Sequence, residues 1–231
     1  WIGRRVVMSP VAHIVTPPGG YFDQTDEAFS LYTEYRAGPL WADGVATYGL
    51  FQDSIRRRVP LGILTDDNHA SPDGDALALA LRAGGDIKSG KITTGPVGGV
   101  VIQKVYLDGF SETGSTGVTA LTFASQTRDS MVGQLGWRVS ADMDRWQPFA
   151  EMKWNHEWFD EGNTVTTSLN TVSAPSYTMD GVSIASDWAT ASIGAAYKVT
   201  SQMTLQGTFS TVFLSEQVAS YGGELGLSIS F

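Results

Sequence analysis

Hydrophobic and polar residues alternate with a period of two along most of the chain, and the alternation is clearest near the C-terminus. In residues 202–214, Met203, Leu205 and Phe209 occupy odd positions, whereas the even positions from 204 to 210 carry threonine, glutamine or serine. Residues 221–231 repeat the pattern, with apolar side chains at 225, 227, 229 and 231. A helix would mix the two sets of residues, whereas a strand places them on opposite faces. Both segments are therefore predicted to be β-strands.

Eight earlier segments are also strand-like. They are residues 3–15, 27–37, 41–55, 75–84, 94–107, 129–142, 149–159 and 188–199, and the pattern leaves the faces of 3–15, 41–55 and 94–107 unassigned. Segment 75–84 (DALALALRAG) is rich in residues that favour helices. Its leucines at 77, 79 and 81 are nevertheless two apart, and a Gly-Gly pair follows, which favours a strand. The sequence thus predicts about ten long strands.

The connections between these strands alternate in length. Short links fall near residues 38–39, 88–91, 143–145 and 200–201, and long polar links fall at 16–26, 56–72, 108–128, 160–187 and 215–220. Outer-membrane barrels have tight periplasmic turns and long extracellular loops, whereas a soluble Greek-key sandwich has no reason to alternate its links. The sequence therefore predicts an all-β, antiparallel, up-and-down transmembrane β-barrel whose last strand ends on the periplasmic side. A soluble β-sandwich is the lesser alternative.

Aromatic residues cluster at the two ends of the predicted strands. Trp41, Trp146, Tyr197 and Phe231 lie next to short links, and Trp158, Phe159, Trp188 and Phe213 lie next to long ones. Amphipathic rings at both ends of a barrel strand are typical of the two membrane interfaces. We predict two aromatic girdles from these residues.

Composition narrows the function classes. The chain has 231 residues, only 17% of them charged, and a formal net charge of −9, which is the wrong sign for neutralising nucleic-acid phosphates. It has no cysteine, which excludes disulfide scaffolds, zinc ribbons and thiol catalysis. Mean hydropathy is −0.07, and no run of about 18 apolar residues occurs. A barrel whose strands alternate remains compatible with these values.

Several charged residues fall at positions that face away from the apolar side of their strands. Burying Arg or Lys against lipid at mid-bilayer costs roughly 2–4 kcal/mol, so these residues are predicted to line a polar lumen. They are Glu34, Arg36, Arg82, Arg138, Glu151, Lys153 and Glu157. Two interpretations remain open, since such a lumen could be a conduit or could be lined for packing and solubility alone.

Candidate catalytic and metal-binding residues are few. His156 lies between Trp154 and Trp158 on the predicted lipid-facing register, and no G-x-S-x-G nucleophile motif occurs, so an interfacial histidine is favoured over a barrel-surface lipase. Residues 65–75 (TDDNHASPDGD) are acidic but lack the ligand spacing and closing glutamate of an EF-hand. A solvated loop is the favoured interpretation, with weak divalent-cation binding shared with lipid headgroups as the alternative. No cofactor is implied.

The last eight residues, ELGLSISF, follow a polar-x-Gly-x-x-apolar-x-aromatic pattern. This pattern resembles the terminal signal of bacterial outer-membrane barrels that their assembly machinery reads. The resemblance implies that Glu224, Gly226, Ile229 and Phe231 form an assembly signal.

Three further stretches resemble the translocator barrel of autotransporters, especially those with esterase or lipase passengers. They are residues 40–43 (LWAD) with the strand running on to 56–58, residues 95–99 (GPVGG) through 107–112, and residues 120–123 (ALTF) through 126–130. The resemblance implies a twelve-stranded barrel, plugged by an N-terminal helix that leads to a secreted passenger. Because Trp1-Ile2-Gly3 already reads as strand, residues 1–231 are expected to be most of one barrel domain without that helix and about two strands.

The resemblance implies that the chain anchors a passenger in the bacterial outer membrane and exposes it outside the cell. Any esterase activity would reside in the passenger, and the chain itself would not be an enzyme. The expected partners are outer-membrane lipid and lipopolysaccharide, the barrel assembly machinery and a covalently linked upstream passenger, with no nucleic acid. A diffusion porin is the main alternative, and a barrel-surface lipase is the lesser one.

Overall fold

The computed structural model describes residues 2–8, 12–16, 20–159, 162, 164–172, 175–181, 185–214 and 220–229, with side chains described from residue 20 to 228 within these ranges. These residues form eighteen strands, and none of them forms a helix long and apolar enough to span a membrane. The strands are β1 (Ile2–Met8), β2 (Ala12–Thr16), β3 (Gly20–Ala37), β4 (Leu40–Leu61), β5 (Leu64–Ala70), β6 (Asp73–Gly85), β7 (Ile87–Ser89), β8 (Ile92–Leu107), β9 (Phe110–Ser111), β10 (Thr113–Gly114), β11 (Leu121–Phe123), β12 (Gln126–Ala141), β13 (Trp146–Glu157), β14 (Thr164–Leu169), β15 (Tyr177–Asp180), β16 (Asp187–Lys198), β17 (Met203–Phe213) and β18 (Ser220–Ile229).

Ten of these strands follow one another in a single antiparallel sheet, in the order β1-β3-β4-β6-β8-β12-β13-β16-β17-β18. These ten strands lie in the sheet in the order in which they occur along the chain, which confirms the predicted all-β, up-and-down arrangement and agrees with the prediction of about ten long strands. The short links are tight turns: Gly38, Gly90 and Asp144 adopt positive φ angles of 60°, 59° and 58°. Within the described residues, no hydrogen-bonded ladder joins β1 to β18.

The register places the apolar positions of neighbouring strands side by side. One continuous row runs through Leu31, Ala46, Leu79, Ile102 and Met131, from β3 to β12. Leu31, Leu79 and Ile102 are 47%, 39% and 42% exposed on this surface, which we call the apolar face. A soluble domain seldom exposes so large a hydrophobic area, whereas a membrane barrel presents such a band to lipid.

The opposite surface, which we call the polar face, is equally continuous. Its rows include Asp43, Arg82, Gly99, Gln134 and Asn155, each paired with the next across β4, β6, β8, β12 and β13. The predicted alternation therefore holds in segment 75–84 and in the other strands whose faces the sequence assigns and whose side chains are described. Its leucines lie on the apolar face, since tertiary pairing outweighs the helix propensity of the segment.

The aromatic girdles are only partly as predicted. Trp146 and Tyr197 lie on the apolar face with ring centroids 4.8 Å apart, and Trp158 is 52% exposed at the opposite strand end. The predictions for Trp41 and Trp188 are wrong, because their register places both on the polar face. Position at a strand end does not fix which face a side chain takes; only the parity along the strand does. Phe231 lies outside the described residues.

Several predicted long loops prove to be extensions of the sheet. β5 continues β6 along β4, interrupted at Pro72, whose carbonyl accepts a hydrogen bond from the Asp53 amide. The smaller sheet has the order β15-β14-β11-β9. Each of its strands is next along the chain to one strand of the large sheet, and the corresponding strands there have the same order, β16-β13-β12-β8. Residues 56–72, 108–128 and 160–187 therefore contain paired strands rather than loops alone, because their polar side chains are compatible with a strand once backbone groups pair.

Two glycines in β6 and β8 permit close packing beside Trp41. A Cβ atom on Gly84 would lie 2.4 Å from the Trp41 ring, and one on Gly95 would lie 1.7 Å from the carbonyl oxygen of Gly85. The side chain of Trp41 is consequently almost fully buried, at 4% exposure. The absence of a side chain leaves room for the Trp41 ring at Gly84 and for the Gly85 carbonyl at Gly95.

Candidate functional site

The polar face carries a cluster of paired charges near the short turns, which we call the charged cluster. It consists of Glu34, Arg36, Asp43, Arg82, Asp86, Arg138, Glu151 and Lys153. These residues come from β3, β4, β6, β12, β13 and the link after β6.

Arg82 is the centre of one half of the cluster. Its Nε and Nη2 atoms donate to the two carboxylate oxygens of Asp43, at 3.0 and 2.9 Å. Its Nη1 atom lies 3.8 Å from Glu151, which also pairs with Lys153 at 3.0 Å. A bidentate arginine–carboxylate pair fixes geometry as well as charge, so this half links β4, β6 and β13 rigidly.

The other half is built around Trp41 and Asp86. The guanidinium of Arg138 lies 4.1 Å from the Trp41 ring centroid, within the range of a cation–π interaction. Arg138 also pairs with Asp86 at 2.5 Å, and Arg36 lies 3.5 Å from the same carboxylate. Arg36 in turn donates from Nε to Glu34 at 2.7 Å. Asp86 thus joins two strands that are separated by several others in the sheet.

The cluster contains four cations and four anions, and each has a partner of opposite charge. Partly buried charges are costly unless paired and hydrogen-bonded. Pairing therefore allows a charge-rich surface to exist on the polar face without a net charge. Such a surface can hold ordered water and brace the sheet.

Six of the eight cluster residues are predicted from the sequence. Asp43, Asp86 and the packing of Trp41 are not, because the face of segment 41–55 could not be assigned and Asp86 lies just beyond a predicted strand. The register partner of Asp43 is Arg82, so the strand pairing would have revealed Asp43. Glu157 shares the polar face but lies apart, 3% exposed, and accepts hydrogen bonds from the Met131 and Phe159 amides at 2.7 and 3.1 Å.

The residues of the C-terminal pattern lie away from the charged cluster. Glu224 is exposed and Gly226 is partly exposed on the polar face of β18, where they pair with Thr208 and Gln206. Ile229 ends β18, with only its backbone described, and Phe231 lies outside the described residues.

A second polar cluster lies at the opposite end of the sheet, where the hairpins extend beyond the long strands. We call these extensions, β4–β5, β9–β11 and β14–β15, the cap. Arg57 pairs with Glu112 through Nε and Nη2, at 2.9 and 2.5 Å, and also donates to the Thr119 carbonyl at 2.9 Å. The Glu112 side chain is only 3% exposed. This pair joins the first two hairpins of the cap.

Asp66 is the most enclosed acid of the cap, with no exposed surface. Its carboxylate accepts hydrogen bonds from the Thr116 and Thr119 amides and from the hydroxyls of Thr119 and Ser115, at 2.9, 3.0, 2.7 and 3.2 Å. These bonds, led by that from the Thr116 amide, hold the pKa of Asp66 well below its usual range. The prediction of a solvated loop at 65–75 is therefore wrong. Among the described residues, no group of three or more potential metal ligands occurs.

His156 lies on the apolar face, as predicted, between Trp154 and Trp158. Its ring centroid is 5.7 Å from that of Trp154 and 5.8 Å from that of Trp158. Its Nδ1 atom is 3.0 Å from the Asp187 carboxylate, and in the described part of the chain no serine hydroxyl bonds to the ring. This geometry is that of a ring packed at a membrane interface.

The pKa of Asp66 gives the cap a pH dependence. Because that pKa is lower in the folded state, the carboxylate stabilises the cap fully above its unfolded pKa of about 4, and this stabilisation is lost as the pH falls below that value. We expect the amide protection factors of Thr116 and Thr119, corrected for intrinsic exchange, to be constant from neutral pH to about pH 5 and to fall below about pH 4.

The Asp66→Asn variant is the control for this profile. Asp67 also titrates at low pH, because its hydrogen bond from Arg56 lowers its pKa. The Asp66→Asn substitution should lower protection at neutral pH and remove most of the acid-induced fall. An unchanged acid profile in this variant would assign the effect to other groups.

Comparisons with known proteins agree with this architecture. The model of the family described as Autotransporter beta-domain matches residues 18–210. Lipase 1 of Photorhabdus luminescens is 27% identical over 209 residues, which cover 88% of this chain and 31% of the lipase. Esterase EstA of Pseudomonas aeruginosa is 27% identical over 186 residues, covering 78% of this chain and 28% of the esterase. The chain thus spans under a third of the length of these relatives.

A solved structure also shares the fold. The translocator domain of autotransporter NalP from Neisseria meningitidis superposes with a TM-score of 0.74 at 18% sequence identity. The match covers 94% of this chain and 70% of that domain. The sheet described above is therefore folded like the sheet of a translocator domain.

Proposed function

This chain belongs to the autotransporter β-domain family, and from that premise we propose that it carries an upstream segment of its own polypeptide to the cell surface. The domain is an outer-membrane translocator β-barrel. The observation that carries the proposal is the separation of an apolar face from a charge-bearing polar face along the long strands from β3 to β18, whose side chains are described. A barrel with this separation presents the first face to lipid and encloses the second.

In the proposed arrangement the charged cluster lines a wet interior near the periplasmic turns. Six of the predicted lumen residues belong to it, and Glu157 stands on the same face closer to the other end. Because the cluster has no net charge, it would let a polypeptide of either sign pass with little electrostatic barrier. A diffusion porin is not favoured, because the chain belongs to a translocator family.

We assign any ester hydrolysis in the whole protein to the upstream segment. The names of the relatives, Lipase 1 and Esterase EstA, support this assignment, since the chain covers only a small part of each. The surroundings of His156 also support assigning hydrolysis to the upstream segment, because its hydrogen-bond partner is Asp187 and the two rings beside it are tryptophans on the apolar face.

The proposed partners follow from the two faces and the chain end. The apolar face would contact outer-membrane lipid and lipopolysaccharide, and the long hairpins would lie outside the cell. Glu224, Gly226, Ile229 and Phe231 would be read by the assembly machinery on the free edge of the last strand, by pairing with its backbone. The covalently linked upstream passenger would pass through or along the barrel.

Surface labelling of the full-length protein in cells tests the proposed function. An epitope placed in the upstream segment should be accessible to antibody on intact cells when this domain is present. It should remain inside the cell when the domain is deleted. Equal surface exposure of the epitope without the domain would contradict the proposal, and a blot of total protein controls for expression.

Deleting Phe231 tests the assembly signal separately. A terminal ring contributes about 1–3 kcal/mol of burial, which a barrel with satisfied backbone groups can lose without unfolding. We expect the deletion to lower the amount of barrel in the outer membrane while the barrel that assembles melts nearly as the parent does. Unchanged membrane levels with a much lower Tm would make Phe231 a structural anchor instead.

A further inference from the structure

The cap is held together by one short segment, residues 112–121, which we call the strap. The strap links β9 to β11 and pairs with β5 through β10, in which Thr113 and Gly114 face His69 and Asn68. It also reaches the third hairpin, because the side-chain amide of Asn170 donates to the Glu112 carbonyl at 2.9 Å. All three hairpins of the cap therefore meet at the strap.

The register shows which side of the sheet the strap covers. β4 pairs with β6 and then with β5 in one unbroken register, so its residues alternate between the two faces without interruption from 40 to 61. Arg57 has the same parity along β4 as Asp43, which lies on the polar face, and Arg57 pairs with Asn68 of β5. Arg57 and Asn68 consequently lie on the side continuous with the polar face, together with Asp66, which is two residues from Asn68. The strap bonds to this side.

Polar bonds hold the strap in place. Asp66 accepts hydrogen bonds from three strap residues, Arg57 binds Glu112 and the Thr119 carbonyl, and the Asn68 side chain donates to the Thr119 hydroxyl at 2.7 Å. Gly114 lies so close that a Cβ there would be 2.1 Å from the Asn68 side-chain oxygen. Of the strap's apolar side chains, Ala120 is buried at 3% exposure, whereas Val118 is 58% exposed.

We propose that the strap is a latch, which closes the extracellular mouth over the polar face while Asp66 and Arg57 hold it and frees the hairpins when they release it. The inference rests on the proposed function, because only an enclosed polar face has a mouth to close. Since the strap is held by a set of polar bonds that converge on Asp66 and Arg57, with the small Ala120 as its one buried apolar side chain, the loss of one buried carboxylate should release it as a unit. A latch of this kind would allow a polypeptide to pass and would keep the conduit shut afterwards.

Spin labels on the two hairpin tips test the latch. The chain has no cysteine, so Ile63→Cys and Val118→Cys introduce the only labelling sites. Ile63 is fully exposed at the tip of the β4–β5 hairpin, and Val118 is exposed in the strap. Distances between the labels are measured by pulsed electron paramagnetic resonance on the complete domain in lipid vesicles, with and without Asp66→Asn. Conductance of the unlabelled proteins in planar bilayers is measured in parallel.

Asp67→Asn is the matched control. The side chain of Asp67, the next residue on β5, pairs with Arg56 and Arg58 on the opposite side of the hairpin. Asp67 bonds to the strap residue Ser115 through its backbone, which the substitution leaves unchanged. We expect one narrow distance in the parent and in Asp67→Asn, and a second, longer distance in Asp66→Asn, whose open population should rise by about tenfold because charge-assisted bonds are lost. Thr119→Val removes two bonds without touching a charge and should give a smaller change in the same direction.

The two readouts separate the latch from the function on which it rests. A second distance in Asp66→Asn with increased conductance supports both. If the second distance appears but no variant conducts, the strap moves as proposed, and the proposal that the polar face encloses a conduit is overturned. One narrow distance in both Asp66→Asn and Thr119→Val, in protein shown to be folded by its heat-modified gel mobility, overturns the latch.

Discussion

We expect Ile193→Arg to destabilise the domain in lipid vesicles by about 2–4 kcal/mol, because it places a guanidinium at mid-membrane depth on the lipid side. Ile193 lies at the centre of β16, is 58% exposed on the apolar face and pairs with Ala150 and Phe209. The charge would have no anionic partner in its row. The free energy of unfolding, from denaturant titration in vesicles, measures the effect.

Ser192→Arg is the control, one residue away on the polar face. Ser192 pairs with Glu151 and Ser210, so an arginine there would meet a carboxylate in a polar environment. We expect a change of roughly 0–1 kcal/mol for this variant. Equal losses for the two variants would mean that the assignment of the faces is wrong, and a larger loss for Ser192→Arg would mean that the faces are inverted.

The second large effect is expected at Gly95. Alanine at this position would put a methyl group 1.7 Å from the Gly85 carbonyl oxygen, so the backbone of β6 or β8 would have to move. Overpacking of this kind costs about 1–3 kcal/mol. The shift should also displace Asp86, the residue after Gly85, and weaken its pairing with Arg138. Denaturant titration measures the cost.

Gly98→Ala provides the comparison within the same strand. The nearest atom to a methyl group there, the Gln134 carbonyl oxygen, is 3.7 Å away, which is ordinary contact. Its stability should stay within about 0.5 kcal/mol of the parent. If Gly95→Ala behaved like Gly98→Ala, the close approach between β6 and β8 would not be a feature of the folded domain.

The strand pattern was predictable because most of the described long strands have one side that is predominantly apolar. In β17 and β16 the alternation alone assigns every residue to a face, and it places Lys153 and Glu151 of β13 correctly on the polar side. In β4 the apolar and polar residues do not alternate cleanly, so strand-end position alone predicts a girdle residue at Trp41, which in fact packs under Arg138. The sequence alone shows that a residue lies near a strand end. For a strand without clean alternation, the face that each residue takes becomes clear only when its pairing with the neighbouring strands is known.

The cap could not be predicted for a different reason. Asp66 and Glu112 look like solvated loop acids, since their donors lie 50 and 55 residues away in the chain at Thr116 and Arg57. Such pairs depend on the register of two separate hairpins, which local sequence does not encode. The stretch that resembles autotransporter barrels, in which the strand at 40–43 runs on to residues 56–58, is the one indication in the sequence that β4 extends beyond residue 55.

The unbroken hairpin registers also bear on the route by which the domain assembles. The long strands lie in the sheet in their chain order, so in the proposed topology pairing can propagate outward from each periplasmic turn with little loop-closure entropy. In the proposed topology the cap tips are then the last parts to form, and Arg57 and Glu112 must cross the hydrocarbon layer before they pair with each other, as must Asp66 before it meets its hydrogen-bond donors in the strap. Those crossings carry the highest solvation cost of insertion, so the slow step of assembly should belong to the tips and not to the strands that finally span the bilayer.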